Sequence, residues 1–385
     1  MKNKELGIYV HIPFCKHKCF YCDFVSFGGN MQNYTEYIKT LILEIDKFNF
    51  ENYNVTTIYF GGGTPSYINE KDIKKILEKI LNKIEKRKKE NIEITIEVNP
   101  GTVNKDKLQI YKDTGFNRIS IGLQTTNDRL LKKIGRIHNF KEFMETYDIA
   151  KEVGFENINT DLMLALPTQT IRDLKETIEI ITKLDIQHIS IYSLILEEGT
   201  VLYNLVEQGK EELLDEETER NMYWYVKNTL ELNGFKHYEI SNFAKEGFES
   251  KHNMNCWNQN EYIGFGLAAH SFIDNVRFCN TTNIAKYINQ FKEKNKNMNK
   301  NINKEVLENM TEIELQKEYI MLGFRKIKGI SINEFKAKFG CNPLFMFRQE
   351  FSKLVDDELI EIDGDSICLT NKGLDLANIV FEEFV

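Results

Sequence analysis

Over its first two-thirds this sequence alternates short β-rich runs with helical stripes, and that alternation limits the fold more than any other feature. The runs Gly7–Ile12, Val55–Gly61, Ile92–Val98, Arg118–Gly122, Asn157–Met163 and His188–Leu194 read as strands. Between the first two, Tyr34, Tyr37, Ile38, Leu41, Ile42 and Ile45 recur at helical spacing. Ile73, Ile76, Leu77, Ile80, Leu81 and Ile84 do the same between the next two. Phe140, Phe143, Tyr147 and Ala150 form another stripe, and Leu174, Ile178, Ile181 and Leu184 a fourth. Strands joined through helices need crossover connections, so the sheet is parallel. About six such units are too many for a small doubly wound domain and suit a partial (βα)6 barrel.

Gln290–Asn303 (QFKEKNKNMNKNIN) is polar, rich in Lys and Asn, and poorly periodic. It places a linker at 291–303 between a domain at 1–290 and a second at 304–385. The second domain reads as three helices and a hairpin. Leu359–Ile362 and Ile367–Leu369 flank a turn at Asp363-Gly364-Asp365, and Thr370 caps a final helix. That order is winged-helix-like. The run Lys83–Glu90 (KIEKRKKE) reads as the solvated end of a helix.

The formal net charge over 385 residues is −8. Such a chain is poorly suited to neutralising phosphates, so no nucleic acid partner is expected and the winged-helix-like domain reads as a cover. The start, MKNKELGIYVHIPFC, lacks the apolar region of a secretory signal. The longest charge-free run, Asn52–Asn69, carries GGGTP in its middle, so no transmembrane segment is expected. Peripheral contact with a membrane remains compatible with this. Seven cysteines, three clustered and four scattered, do not make a disulfide framework. A reducing, cytoplasmic setting follows, with the cluster of three as a metal or redox site.

That cluster is CKHKCFYC: Cys15, Cys19 and Cys22, directly after a strand. Zinc in a structural site would take a fourth ligand, from His17 or His11. A [4Fe–4S] cluster on three thiolates would leave one iron open to a further ligand. Gly61-Gly62-Gly63-Thr64-Pro65 follows the strand VTTIYF, where glycines let backbone approach a ligand closely. Glu97, in IEVNPG, ends another strand. Pro13, Pro65, Pro100 and Pro167 all lie beside strand ends, where barrel active sites gather.

Three cysteines spaced C-x3-C-x2-C, with an aromatic before the last, resemble the radical S-adenosylmethionine (SAM) superfamily. Its members bind SAM at the open iron of a [4Fe–4S] cluster and cleave it reductively to a 5′-deoxyadenosyl radical. The ordered stretches YVHIPFCKHKCFYCDF, YFGGGTPS, EVNPGTV, RISIGLQT, NTDLMLALPTQT, SIYSLILEEGT and HNMNCWNQNEYIGFGLAAHSF are similar to the oxygen-independent coproporphyrinogen III dehydrogenase group, from about Gly7 to Ser271. EYIMLGFRKIKGISINEF resembles that group's C-terminal domain. The dehydrogenases carry a fourth cysteine where Phe24 stands, and a long N-terminal extension, whereas Cys15 lies 14 residues from the start here. Both departures point to the group's heme-chaperone branch, the HemW type. Its HNxxYW stretch, associated with heme binding, is matched by HNMNCW, with Cys256 at the Tyr position.

The resemblance implies that Cys15, Cys19 and Cys22 hold the cluster. It places Tyr9, Gly62 and Glu97 around the cluster-bound SAM. Tyr21, Gly63, Thr64, Gln124, Arg136 and Asp161 match positions lining a second SAM in the dehydrogenases. The same groups could contact one SAM or a porphyrin propionate, and Arg136 suits a carboxylate fork. His252 becomes the candidate axial ligand to heme iron, with Cys256 as rival. His270 reads as either a core or a cavity-lining histidine. The HNMNCW stretch is expected as a loop at the barrel mouth. The implied function is to bind heme and deliver it to an unidentified acceptor protein. The alternative is oxidative decarboxylation of coproporphyrinogen III in porphyrin biosynthesis.

Overall fold

The computed structural model describes residues 4–29, 31–85, 88–292 and 304–385. The expected alternation forms. Strands β1 (Lys4–Ile12), β2 (Tyr53–Gly62), β3 (Lys88–Val98), β4 (Arg118–Gln124), β5 (Asn157–Leu164) and β6 (His188–Ser193) lie side by side in chain order, all parallel. Helices α1 (Tyr34–Lys47), α2 (Glu70–Ile84), α3 (Lys105–Thr114), α4 (Phe140–Glu152) and α5 (Ile171–Ile181) make the crossovers, and α6 (Glu216–Leu232) follows β6. Side-chain caps fix the starts of α2 to α6: Asn69, Asn104, Asn139, Thr170 and Asp215 each accept a backbone N–H of the first turn. One face of the strands is apolar. Ile8, Val10, Ile58, Phe60, Ile96, Ile119 and Ile121 are sealed in one core with Tyr37, Leu41 and Ile45 of α1. The opposite face turns inward and is polar, which is what a barrel needs if its interior is to receive a ligand rather than pack shut.

The barrel is open. Beyond β6, β7 (Lys236–Glu239) and β8 (Asn242–Ala244) extend the sheet antiparallel. Beyond β1 come β9 (Glu261–Phe265), parallel to it, and then antiparallel β10 (His270–Ile273), β11 (Val276–Cys279) and β12 (Glu305–Asn309). His270 is exposed on β10, opposite Cys279, so it is not a core residue, and it does not line the cavity described below.

The C-terminal part has its own core, built on Ile320, Phe324, Phe335, Phe351 and Leu354. Helices α8 (Glu312–Gly323), α9 (Ile332–Phe339) and α10 (Arg348–Asp356) pack with a three-stranded sheet of β13 (Ile330–Ser331), β14 (Ile360–Asp363) and β15 (Ser366–Leu369). The β14–β15 hairpin turns at Gly364, whose φ is +57°. Thr370 caps the helix after it, accepting from the Gly373 N–H. This is the winged-helix-like order expected. The expected linker at 291–303 lies outside the described residues from 293 onward, where only α-helical Ile284–Lys292 precedes it.

Two local expectations need correcting. The basic run 83–90 is not one helix end: α2 stops at Ile84 and Lys88 already opens β3. HNMNCW is not a loop but helix α7 (Lys251–Trp257), and it is not at the barrel mouth. The Ser250 side chain caps it by accepting the Asn253 N–H. It plugs the N-terminal end of the barrel, where Gly7, Thr57 and Glu93 lie in register on β1, β2 and β3. Glu93 accepts the Lys251 and His252 N–H groups at 3.2 and 3.0 Å. A Cβ at Gly7 would stand 2.9 Å from Asn255 Nδ2, so only glycine lets the plug approach. The C-terminal domain seats on the same helix: the Arg325 guanidinium lies 4.3 Å from the Trp257 ring centre, and Lys326 donates to Asn258 at 2.8 Å.

Candidate functional site

The site lies at the other end, above the C-terminal ends of β1 to β6. The cysteine loop leaves β1 through Pro13. Short parallel pairing of Phe14–Cys15 with Phe27–Gly28 closes it, helped by the Gly29 N–H bonding to Cys15 O at 2.9 Å. Within it the Cys22 N–H donates to Cys19 O at 3.2 Å, curling the three thiols toward one side. The end of β2 is tied to this loop: Gly63 N–H donates to Ile12 O and Thr64 N–H to Phe14 O, both at 2.9 Å.

A cavity of about 510 Å³ opens between them. Cys15, Cys19, Cys22, Tyr21, Gly62, Gly63, Thr64, Glu97, Gln124, Arg136 and Asp161 all line it. The structure thus brings these sequence-predicted residues together around one cavity. The two exceptions are Tyr9, one layer deeper and stacked on Tyr59, and His252, at the far end of the barrel.

Each wall has its own chemistry. Gly62 has φ +110°, and a Cβ there would sit 2.4 Å from the His11 ring. At Gly63 it would sit 2.8 Å from Ile12 O and 3.0 Å from Cys15 Sγ. Bare backbone is thus obligatory beside the thiols. The Thr64 hydroxyl reaches Cys15 Sγ at 3.5 Å. Burial raises the Cys15 thiol and pushes Cys22 up to about 11. Both are protonated at neutral pH until a metal displaces the protons. On the next strands, Tyr59 donates to Glu97 at 2.8 Å, yet burial pushes the Glu97 carboxyl up to about 7. Asp161 accepts from Ser120 at 3.0 Å and Asn159 at 2.8 Å, while burial raises its carboxyl.

Sequence reasoning missed Asn99, which donates to Thr64 at 2.8 Å and accepts from Arg136 at 2.8 Å. Its signal was present: it stands two residues after Glu97 in IEVNPG, so both side chains project to the same face of the chain's path. Tyr59 was missed too, and His11, weighed only as a zinc ligand, instead packs its ring against Gly62 and bonds to Val25 O at 2.9 Å. Tyr59 and His11 are inward-facing by the same alternation.

Among the described residues, no three His, Cys, Asp or Glu side chains converge on one metal-ion position. A single structural zinc asks for such convergence. A cubane takes each thiolate at a different iron, so its cysteines stand around a space instead.

Residues 9–181 match the radical SAM superfamily, and residues 310–376 match the HemN C-terminal domain. A heme chaperone HemW of Bacillus subtilis (strain 168) is 38% identical, over 98% of this chain and 98% of its own. The chain belongs to the HemW family. Heme chaperone HemW proteins of Lactococcus lactis and Escherichia coli K12 are 38% and 31% identical, each over 100% of this chain and 98% and 99% of their own. The solved coproporphyrinogen III oxidase HemN of Escherichia coli superposes with a TM-score of 0.84 at 21% identity, covering 100% of this chain and 91% of that one. It shares the radical SAM fold and the C-terminal domain.

The HemW family's radical SAM part implies an iron–sulfur cluster and SAM, and the residues present suit both. Three thiols face one cavity, flanked by glycines without room for a side chain and by the Glu97 carboxylate. That set of thiols, bare backbone and one carboxyl fits a soft metal cluster with room for a polar ligand beside it. Phe24 is 62% exposed on the cavity rim and offers no ligand atom. Among the described residues no helix is long and apolar enough to cross a membrane.

Proposed function

We propose that this protein binds heme and hands it to an acceptor protein, carrying a [4Fe–4S] cluster on Cys15, Cys19 and Cys22 and SAM beside it. The full-length similarity to heme chaperones carries this reading. In it, residues 1–290 form the cofactor-bearing unit and 304–385 the cover over the barrel's plugged end, joined through 291–303 in a cytoplasmic protein. The bound cluster would supply one-electron chemistry at SAM. This chain's part is to hold it: backbone of Gly62 for the SAM amino group, Glu97 for its ribose, with Tyr9 behind. Tyr21, Gly63, Thr64, Gln124 and Asp161 shape the rest of the cavity, for one SAM or two.

Heme iron is assigned to His252 over Cys256. Burial, with Arg118 nearby, lowers the His252 imidazole to about 4, which keeps it neutral and able to ligate. Burial pushes the Cys256 thiol up to about 11, so it would have to release a proton to bind iron, whereas the neutral imidazole of His252 would not. His252 is only 8% exposed, so reaching heme requires α7 to leave the barrel end.

Anaerobic reconstitution, heme titration and a coproporphyrinogen III assay on one sample test the reading. A broad absorption near 400 nm, a sharp Soret band on adding heme, and no protoporphyrinogen are expected. Turnover at about 1 s⁻¹ or faster, an ordinary enzymatic rate, would establish the dehydrogenase instead.

A further inference from the structure

From sequence, Arg136 suits a fork for a ligand carboxylate, but the structure spends the fork within the protein. Both protons of Nη2 are donated, to Asn99 Oδ1 and to Gly122 O, each at 2.8 Å. A bidentate carboxylate pair, end-on or side-on, uses Nη2. Nη1 points the other way, to Cys19 Sγ at 3.5 Å. Nε has no partner.

The surroundings hold this orientation. At Gly122 a Cβ would come within 3.1 Å of Nη2 and 2.9 Å of Asn99 Oδ1, so bare backbone is needed to accept the guanidinium. Gly135 has φ +75°, and a Cβ there would press to 2.6 Å from the Phe20 ring. The Phe20 N–H donates to Ile134 O at 3.0 Å, fastening the 134–136 turn to the residue after Cys19. Asn99 in turn donates to Thr64, whose hydroxyl reaches Cys15. One hydrogen-bonded chain thus runs from Cys15 through Thr64, Asn99 and Arg136 to Cys19.

We propose that Arg136 is a positioning residue for the cluster: it braces the cysteine loop and donates an N–H to the Cys19 sulfur, which eases reduction of the iron–sulfur centre. This rests on the cluster assignment made above. A cationic donor at a ligand sulfur stabilises the electron-richer state, because hydrogen bonds to the sulfurs and nearby charge help set a cluster's potential.

The test is a dye-equilibrated redox titration of the reconstituted full chain, followed by electron paramagnetic resonance, with SAM affinity measured on the same samples. Arg136→Gln is expected to move the midpoint to more negative potential, and the SAM affinity read on the same samples separates that shift from the loss of a ligand contact. Arg136→Lys keeps the charge but cannot span Asn99, Gly122 and Cys19 together, and is expected to fall between. Should Arg136→Gln fail to load iron, the lysine variant carries the test alone. A wild-type midpoint in every variant that loads iron overturns the proposal. So does a large loss of SAM affinity without a shift in potential, which would make Arg136 a ligand fork. If the wild-type chain takes up no iron, it is the cluster assignment that falls.

Discussion

Thr57 Oγ1 and His252 Nδ1 lie 2.9 Å apart inside the barrel, at the end opposite the cysteine loop. The imidazole also stacks on Tyr59, with ring centres 5.1 Å apart. The candidate heme ligand and the candidate SAM cavity therefore occupy opposite ends of one polar interior. Tyr59 bridges them, since its hydroxyl is bonded to Glu97 on the cavity wall.

The heme ligand is tested by two substitutions read together. His252→Ala is expected to weaken heme binding by about tenfold or more and to shift the Soret band. Cys256→Ala is expected to change little, because its thiol, unlike the neutral imidazole, would have to give up a proton to ligate iron. The reverse pattern would assign the thiolate. Two unchanged titrations would make α7 purely structural. Stopped-flow uptake adds a kinetic check: Arg325→Ala unstacks Trp257 and should speed heme binding if α7 must lift.

Removing one thiol should cost the whole cluster. Cys19→Ala is expected to abolish iron and sulfide binding after reconstitution while circular dichroism still reports the folded barrel, because Cys19 is half-buried and outside the main core. Retention of about four irons per chain would sink the ligand assignment.

Gly62→Ala tests the bare-backbone cradle. The added methyl meets the His11 ring at 2.4 Å on a residue with φ +110°, so a loss of about 1–3 kcal/mol in denaturant unfolding is expected. SAM binding by equilibrium dialysis should fall with it. Wild-type stability and affinity would show that the glycine is dispensable.

Glu97 gives a pH signature. Its carboxyl rises from an ordinary 4.5 to about 7 on folding, through burial. A raised carboxyl contributes stability that is complete below the unfolded value and is lost as pH rises through the folded one. Glu97→Gln has no such group. Relative to the variant, the wild-type protein should therefore lose stability between about pH 4.5 and pH 7, read as urea midpoints at pH 5 and pH 8. Midpoints that move in parallel would place the Glu97 carboxyl at its ordinary value.

How much of this was readable depends on how local the cause is. The six strands, the cysteine loop and Gly61–Thr64 are carried by neighbours in the chain: alternating apolar residues, close thiols, glycines at a strand end. α7 was not readable. It has only seven residues and shows no apolar stripe, because its partners, Glu93, Thr57 and the C-terminal Arg325, arrive from three distant parts of the chain. The basic run 83–90 misled for a related reason. Its charges are compatible with either a helix end or a strand opening, and only pairing of Val55 with Lys88 decided for the strand.

The sequence by itself determined the parallel barrel, the winged-helix-like end, the cysteine loop and the glycine run, because periodicity and motif spacing act over a few residues, while the other residues that meet at the cavity came from the family resemblance. Only the tertiary structure decided what those residues do to one another. Arg136 is a donor to Cys19 rather than an open fork, and His252 is a buried plug rather than a residue at the mouth. Both outcomes depend on hydrogen-bond partners 117 and 195 positions away in the chain, and no local pattern records a contact at that range.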